Sequence, residues 1–340
     1  MAFRTVELTG PAEIHVKNGS LLVEKEVSDS KNVKTGNDKE EKNRAAKGRK
    51  TRSKTGKTET ESRKWLIPLE DISSIICMGA GIRISTMAMA QLCNHEISVM
   101  MLDENYRPAG MLTAYEANAR QSLIMRQQVY ADEERLNRLW KDIILHKISN
   151  QAQTLNLLSL GGGEELNTFK ERILDSGMDK FNIDPVEAGA AKLYFHYLCP
   201  QLNRREEAPF NSCLNYGYSI IRNTIIRALI AAGLLPAFGI HHKNLFNAFN
   251  LADDLIEPFR PSVDLISYYI TGDTIQLDRS QRRKLAEVLL QAVRMNGRKV
   301  NIFTAINMMV DDLRSFYCGE KDEIALPDVL PEEKIDMVRE

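Results

Sequence analysis

The densest collection of groups able to do chemistry lies in Gly239-Ile-His-His-Lys-Asn-Leu-Phe-Asn-Ala-Phe-Asn-Leu-Ala-Asp-Asp-Leu-Ile-Glu-Pro-Phe-Arg-Pro261. Asp254 and Glu257 stand three residues apart, so on a helical turn their carboxylates would share one face. Leu251, Leu255 and Ile256 would then carry the other faces into a core. Two buried acids raise each other's pKa unless a counter-charge intervenes, and a divalent cation supplies one. Oxygen ligands plus one imidazole suit Mn²⁺ or Mg²⁺ better than zinc. His241 and His242 are adjacent, so in most backbones only one of them faces a given site. Plainer accounts exist for the same residues. Asp253 or Asp254 also fits a helix cap, and Glu257 also fits an ion pair with Arg260. Glu257 precedes Pro258, which disfavours the helical region and predicts a kink at the proposed ligand.

Glu187 has an equally simple reading. Asp184-Pro185-Val186-Glu187 fits an N-cap, a proline at the first helical position and a capping-box acid. Gly161-Gly162-Gly163 follows a helical pattern and lacks a Gly-Lys-Ser/Thr, so it reads as a helix connector and not a phosphate loop. The five cysteines, Cys77, Cys93, Cys199, Cys213 and Cys318, are far apart and form no Cys-x-x-Cys. That excludes a disulfide framework or a cysteine zinc site as the default.

The elements that must position these groups change character along the chain. Ala12-Glu-Ile-His-Val-Lys and Ser20-Leu-Leu-Val-Glu flank Asn18-Gly19, a dipeptide suited to a type I′ hairpin. Trp65 to Glu70 and Ile97 to Leu102 read as further strands, with a short helix capped by Ser85 between them. From about Ala114 the apolar period becomes helical: Leu136, Leu139, Ile143, Ile148, Ala152 and Leu155 form one stripe of a long helix starting near Asp132. Further helices are expected from Asp184-Pro185, Asn211, Ser280 and Asn301, the last two ending at Gly297 and Gly319. The expected fold is α+β: a β-rich domain over 1–103, a linker at 104–113 and a larger all-helical domain over 114–340.

The 340 residues carry 45 Lys/Arg and 46 Asp/Glu, a net charge of −1, which excludes a uniformly basic nucleic-acid binder. Residues 28–64 hold 13 Lys/Arg against 6 Asp/Glu, a net +7, leaving 32 − 40 = −8 for the rest. From Lys34 to Lys64 there is no Val, Ile, Leu, Met or aromatic residue, so this tract is expected to be a disordered, basic insertion. A basic arm of that kind would contact phosphates without reading sequence. The most apolar window, Ile220 to Ile240, is interrupted by Arg222 and Arg227 and reads as a core helix. No apolar signal core opens the sequence, so a cytoplasmic protein is expected.

Four blocks follow one order: Glu187-Ala-Gly-Ala-Ala-Lys-Leu-Tyr-Phe195, Asn211-Ser-Cys-Leu-Asn-Tyr-Gly-Tyr218, Gly239-Ile-His-His242 and Leu251-Ala-Asp-Asp-Leu-Ile-Glu-Pro-Phe-Arg-Pro261. With the Phe3-Arg4-Thr5-Val6 start and the Leu102-Asp103 to Arg107-Pro108 junction, the chain resembles the CRISPR-associated integrase family, the spacer-acquisition enzymes known as CRISPR-associated protein one. The double histidine followed by Asn247-Ala-Phe-Asn-Leu-Ala-Asp-Asp-Leu255 most resembles the version in type II systems. The resemblance implies a metal site of Glu187, His242 and Glu257, with Asp254 as a nearby fourth acid and Mg²⁺ or Mn²⁺ as cofactor. His242 is preferred because it closes the family's Gly-x-x-His. Ala188 stands where glycine is more usual, and the 28–64 tract has no counterpart from which a role could be carried over.

The resemblance further implies a homodimer, two such dimers bridged by CRISPR-associated protein two, and double-stranded DNA as substrate. In type II systems the effector nuclease and an accessory adaptation protein are expected to take part. The implied reaction is transesterification: protospacer 3′-hydroxyls attack phosphodiesters of the repeat. Arg205, Lys243 and Arg260 lie close to the motifs and are candidate phosphate contacts or, equally, surface ion pairs. Two rival readings use the same residues: a metal-dependent nuclease of branched or single-stranded DNA, and a non-catalytic DNA-binding scaffold.

Overall fold

The computed structural model describes residues 4–27, 61–78, 80–102, 108–114, 120–175, 180–200, 209–271, 281, 284–285 and 287–330. The chain separates into two compact units, Met1–Glu116 and Ala117–Glu340.

The first unit contains β1 (Arg4–Leu8), β2 (Ala12–Lys17), β3 (Ser20–Val27), β4 (Glu61–Pro68), β5 (Ile72–Cys77), β6 (Ile82–Ile84), α1 (Thr86–Asn94), β7 (Ser98–Leu102) and β8 (Pro108–Leu112). One sheet has the order β1-β5-β7-β8 and the other β4-β3-β2-β6. Lys17 pairs with Ser20 across Asn18 (φ 51°) and Gly19 (φ 71°), the left-handed pair that a two-residue hairpin turn requires. Ala12 and Ile14 of β2 point inward while Glu13 and His15 face out. They join Leu21, Val23, Ile72, Ile75, Leu92 and Val99 in one core. Ser85 accepts a hydrogen bond from the Ala88 N–H at 3.2 Å and caps α1.

Two expectations about this unit need correction. β4 begins at Glu61 and pairs back to Val27, so the last residues of the 28–64 tract are strand; 28–60 lies outside the described residues. β4 is an edge strand, where charge is tolerated and even protective, and Lys64 pairs with Glu24 opposite it at 2.7 Å. The 104–113 segment is not all linker, because 108–112 forms β8 against β7. Leu112 packs on the core, and Pro108 opens a strand at the sheet edge, where a missing N–H is least costly.

The second unit is largely helical. It contains α2 (Gln121–Val129), α3 (Glu133–Leu158), α4 (Gly163–Asp175), α5 (Lys180–Leu198), α6 (Pro209–Ala231), α7 (Asn250–Leu255), a 3₁₀ turn (Glu257–Phe259) and α8 (Arg260–Thr271). β9 (Ala292–Met295), β10 (Arg298–Asn301), α9 (Ile302–Tyr317) and β11 (Asp328–Val329) follow. Asp132 caps α3 by accepting from the Arg135 N–H at 2.9 Å. Leu139, Ile143, Ile148, Ala152 and Leu155 are buried as the stripe predicts, but Lys147, Asn150, Gln151 and Thr154 are buried among them. Asn301 caps α9, and Gly319 (φ 72°) ends it with bonds from its own N–H to Phe316 and from Glu320 to Ser315.

Three further expectations are corrected here. The domain is not wholly helical, since β10-β9-β11 form a small sheet. Gly297 does not end a helix: with Asn296 (φ 50°) it makes the two-residue turn of the β9–β10 hairpin, the same device as Asn18-Gly19. Asp184-Pro185 does not start α5, which begins at Lys180 and carries Pro185 inside it. Glu187 is therefore a mid-helix residue and not the acid of a capping box.

Asn150 ties this unit together. Its Nδ2 donates to the carbonyls of Pro258 and Pro327 at 2.8 Å each, and its Oδ1 accepts from the Val329 N–H at 3.1 Å. Asn150→Leu would strand three buried backbone groups, at a cost of about 3 kcal/mol or more. We expect a clear fall in the urea midpoint of the full chain; an unchanged midpoint would show that other bonds hold the Pro258 turn.

Candidate active site

Four segments of the helical unit converge. Trp140 and Lys147 lie two turns apart on one face of α3, and Asp184 and Glu187 one turn apart on α5. The 239–242 loop and the segment from Asp254 to Arg260 complete the set.

Lys147 is the centre. Its ammonium, on a buried side chain, contacts Glu187 Oε1 and, at 2.6 Å, Glu257 Oε2. Glu257 Oε1 accepts from Arg260 Nε at 2.9 Å. The Arg260 guanidinium lies 4.7 Å from the centre of the Tyr218 ring, whose hydroxyl donates to buried Asp264. Burial alone would push the Glu257 carboxyl up, but Arg260 and Lys147 outweigh it and hold the pKa at about 2. Burial likewise pushes Lys147 down, and the charges of Glu257 and Glu187 more than reverse it. Glu257 and Lys147 therefore stay ionised at neutral pH.

Asp254, with 0% exposure, organises the second half of the site. Its Oδ2 accepts from the N–H groups of Ile240 (2.6 Å) and His241 (3.0 Å). Its Oδ1 accepts from the His242 N–H (3.2 Å) and lies 2.6 Å from His242 Nδ1. A Cβ on Gly239 would meet the His242 carbonyl at 2.3 Å and Asp254 Oδ2 at 2.8 Å, so the loop closes this tightly only around glycine. The Asp254 hydrogen bond raises the His242 pKa against the opposing effect of burial. In the neutral ring, Nδ1–H donates to Asp254 and Nε2 keeps its lone pair for a ligand. His241 is used differently: its ring stacks on Trp140 at 4.3 Å, and its Nε2 lies 3.3 Å from Asp184 Oδ1.

The structure thus brings Glu187 and Glu257 onto one ammonium and pairs His242 with Asp254. The expectation that Asp254 and Glu257 share a helix face is corrected. α7 ends at Leu255, and Pro258 turns Glu257 into a 3₁₀ segment, so the two acids serve different partners. Asp254, expected as an additional ligand, commits both oxygens to the loop. The Glu257–Arg260 pair is formed as well. Lys243 makes an exposed ion pair with Glu133 at 3.4 Å, and Arg205 lies outside the described residues. Lys147 and Trp140 escaped the sequence reading, although a lysine four residues after Ile143 falls on the apolar stripe and signals a buried charge in need of partners.

Among the described residues, no three His, Cys, Asp or Glu side chains lie close enough to share an ion as they stand. The donor set nonetheless fits one. Two carboxylates already face a common cation, the Lys147 ammonium, which lies 2.6 Å from Glu257 Oε2. A neutral imidazole fixed by a carboxylate on its far nitrogen is the arrangement a metal-binding histidine uses. Glu187, Glu257 and His242 are the residues that would hold a divalent ion.

Lys147→Met would leave the two glutamates facing each other without their shared counter-charge. The loss should be about 3 kcal/mol at neutral pH, because one partner of a buried pair is removed. The depressed Glu257 pKa contributes stability above the ordinary carboxylate range, and that contribution fades as pH falls towards about 2. The gap between variant and wild type in denaturant melts should therefore narrow on acidification; a pH-independent gap would trace the loss to packing instead.

A family model described as CRISPR associated protein Cas1 matches residues 46–299. The chain is 32% identical over 273 residues to the CRISPR-associated endonuclease Cas1 of Neisseria meningitidis, covering 78% of this chain and 88% of that protein. Its fold is similar to that of a casposase bound to integration product, with a TM-score of 0.72 and 19% identity over 99% of this chain and 96% of that one. It is also similar to part of a Cas6-RT-Cas1–Cas2 complex, with a TM-score of 0.66 and 18% identity over 97% of this chain and 36% of that one. Matched over most of its length by the family model, and carrying the two glutamates and the oriented histidine on a β-rich plus helical framework, the chain belongs to the Cas1 family of CRISPR-associated endonucleases.

Proposed function

We propose that this protein is a metal-dependent integrase of CRISPR adaptation, of the type II kind, acting in the cytoplasm. The observation that carries this reading is the convergence of Glu187 and Glu257, from separate helical segments, on one cationic point in the unit that also holds His242 by its Nδ1. Structures it is similar to include a casposase with integration product and a complex with Cas2, a likeness from which DNA and Cas2 are proposed as partners; a homodimer and the type II effector and accessory protein are proposed from the sequence resemblance alone.

Glu187 and Glu257 through carboxylate oxygens, and His242 through Nε2, would hold Mg²⁺ or Mn²⁺, which supplies charge neutralisation at the scissile phosphate and favours the attacking oxygen. The chain's own groups do the rest. Asp254 keeps the proton on His242 Nδ1 and so keeps the ring's other nitrogen available. Arg260 remains against Glu257 and holds it charged. Lys147, whose ammonium lies against both carboxylates, would supply positive charge at the site where the phosphate enters. A protospacer 3′-hydroxyl oxygen then forms a bond to phosphorus while the bond to the flanking strand's 3′-oxygen breaks; the repeat keeps the phosphate on its 5′ end, and the proton lost by the attacking hydroxyl is matched by the one gained by the departing 3′-oxygen. The number of phosphodiesters is conserved, and no covalent enzyme intermediate is needed.

The decisive experiment is joining of a labelled short duplex to a supercoiled plasmid carrying a repeat, with Cas2 and Mn²⁺ or Mg²⁺ present. Glu187→Ala, His242→Ala and Glu257→Ala should each lose joining while keeping the circular dichroism of the wild type. Cleavage without joining under every condition would point to a hydrolytic nuclease, and full activity of Glu187→Ala would return that residue to a structural role. Asp254→Asn should weaken metal binding by roughly 10- to 100-fold, because it acts through His242. Lys243→Ala, if Lys243 neutralises one phosphate, should lower the slope of log affinity against log salt by about 0.9.

A further inference from the structure

Three helical segments each give one charged side chain to the Lys147 cluster. Seven residues further along each segment lies a buried polar side chain with no part in the proposed chemistry. Lys147 is followed by Thr154 on α3 and Glu187 by Tyr194 on α5. Glu257, on the turn that leads into α8, is followed by Asp264. Seven residues make about two helical turns, so each pair projects to one side of its segment. Thr154 and Tyr194 are 0% exposed and Asp264 1%. The second set meets as the first does. Burial first, then the Asp264 charge, raise the Tyr194 pKa and keep its hydroxyl protonated, with Thr154 beside it. Thr154 Oγ1 also donates to the Pro261 carbonyl at 3.5 Å, at the start of α8.

A carboxyl group this deep is costly to bury, and its attachments show what it holds. The Tyr218 hydroxyl, on α6, donates to Asp264. The ring of the same tyrosine lies 4.7 Å from the Arg260 guanidinium, whose Nε donates to Glu257 Oε1 at 2.9 Å. Arg260 and Asp264 stand four residues apart on α8 and so share a face. A Cβ on Gly217 would run into Val263, so α6 and α8 approach closely beside this pair. The Tyr218 ring is thus fixed at its tip by an acid and on its face by a cation. We infer that Asp264 and Tyr218 are positioning residues for Glu257: through Arg260 they set the direction of its carboxylate at the site where the divalent ion is proposed to bind. This rests on the proposed function above. Without the hydroxyl bond the ring can tilt and the guanidinium follow it. A metal-binding constellation tolerates displacements of only about 0.5 Å, so a small tilt suffices to spoil it.

The test measures Mn²⁺ binding to the full chain without DNA, from loss of the free-ion electron paramagnetic resonance signal. Tyr218→Phe keeps the ring against Arg260 and removes only the hydroxyl. It should weaken Mn²⁺ binding by roughly tenfold, the size of effect seen when an outer support of a metal ligand is lost. The Mn²⁺ concentration for half-maximal joining should rise by the same factor. Asp264→Ala should weaken binding at least as much. Asp264→Asn, whose amide oxygen still accepts from Tyr218, should lie closer to wild type than to Asp264→Ala. Ile306→Ala opens a cavity in α9 and lowers the melting temperature without touching this series, so its Mn²⁺ affinity should equal that of wild type. Wild-type affinity in Tyr218→Phe overturns the assignment, and that variant decides alone if Asp264→Ala fails to fold. An equal loss in Ile306→Ala also overturns it, because general stability would then be the cause. A wild type that binds Mn²⁺ at a site lost in Glu187→Ala but kept in Tyr218→Phe removes the positioning role and leaves the metal reading intact. A wild type that binds no Mn²⁺ removes both.

Discussion

A single positive charge inside a helix face governs the catalytic unit. Lys147 sits between Ile143, Ile144 and Ile148, all with 0% exposure, where an unpaired ammonium would be prohibitively costly. The cost is offset only by bringing negative charge to it. α5 must therefore approach with Glu187, and the chain after α7 must turn so that Glu257 reaches the same point. Glu257 in turn faces Arg260, which rests on Tyr218, whose hydroxyl binds Asp264. The alternation of sign along this series lets several buried charges coexist in a medium that would not tolerate any of them alone.

The 239–242 loop obeys the complementary rule. Its consecutive N–H groups have no helix or sheet to bond, and the buried Asp254 carboxylate has no solvent. Each satisfies the other, and the same carboxylate then fixes the His242 ring. The adjacent His241 is turned the other way, against Trp140 and Asp184. Two identical residue types thus acquire different work from one backbone. The ring left half exposed is the one whose far nitrogen is fixed by an acid.

These two arrangements meet at the Asp254–Glu257 segment. A continuous helix there would aim both carboxylates in one direction, crowding like charges and leaving either the loop or Lys147 unsatisfied. Pro258 prevents it. The 3₁₀ turn it opens is held from the opposite side by Asn150 on α3, so the helix that carries Lys147 also pins the backbone next to the acid Lys147 binds.

Much of the framework was legible in the residues themselves because it depends on local rules. The Asn18-Gly19 turn, the Ser85, Asp132 and Asn301 caps, the α3 stripe and the Gly319 terminator follow from backbone sterics and nearby hydrogen bonds. Where a local signal has two uses, sequence misled: Asn296-Gly297 reads as a helix end but serves a hairpin, and Pro185 reads as a helix start but is tolerated inside one. The identities of Glu187, His242, Asp254 and Glu257 as noteworthy residues also came from sequence, through order and resemblance. What they do to one another did not. That Asp254 holds a loop while Glu257 meets Lys147, 110 residues earlier in the chain, depends on contacts between distant segments. Spacing along a chain specifies which side chains share a face; only the packing of helices, under the requirement that every buried charge be answered, decides which charge answers it.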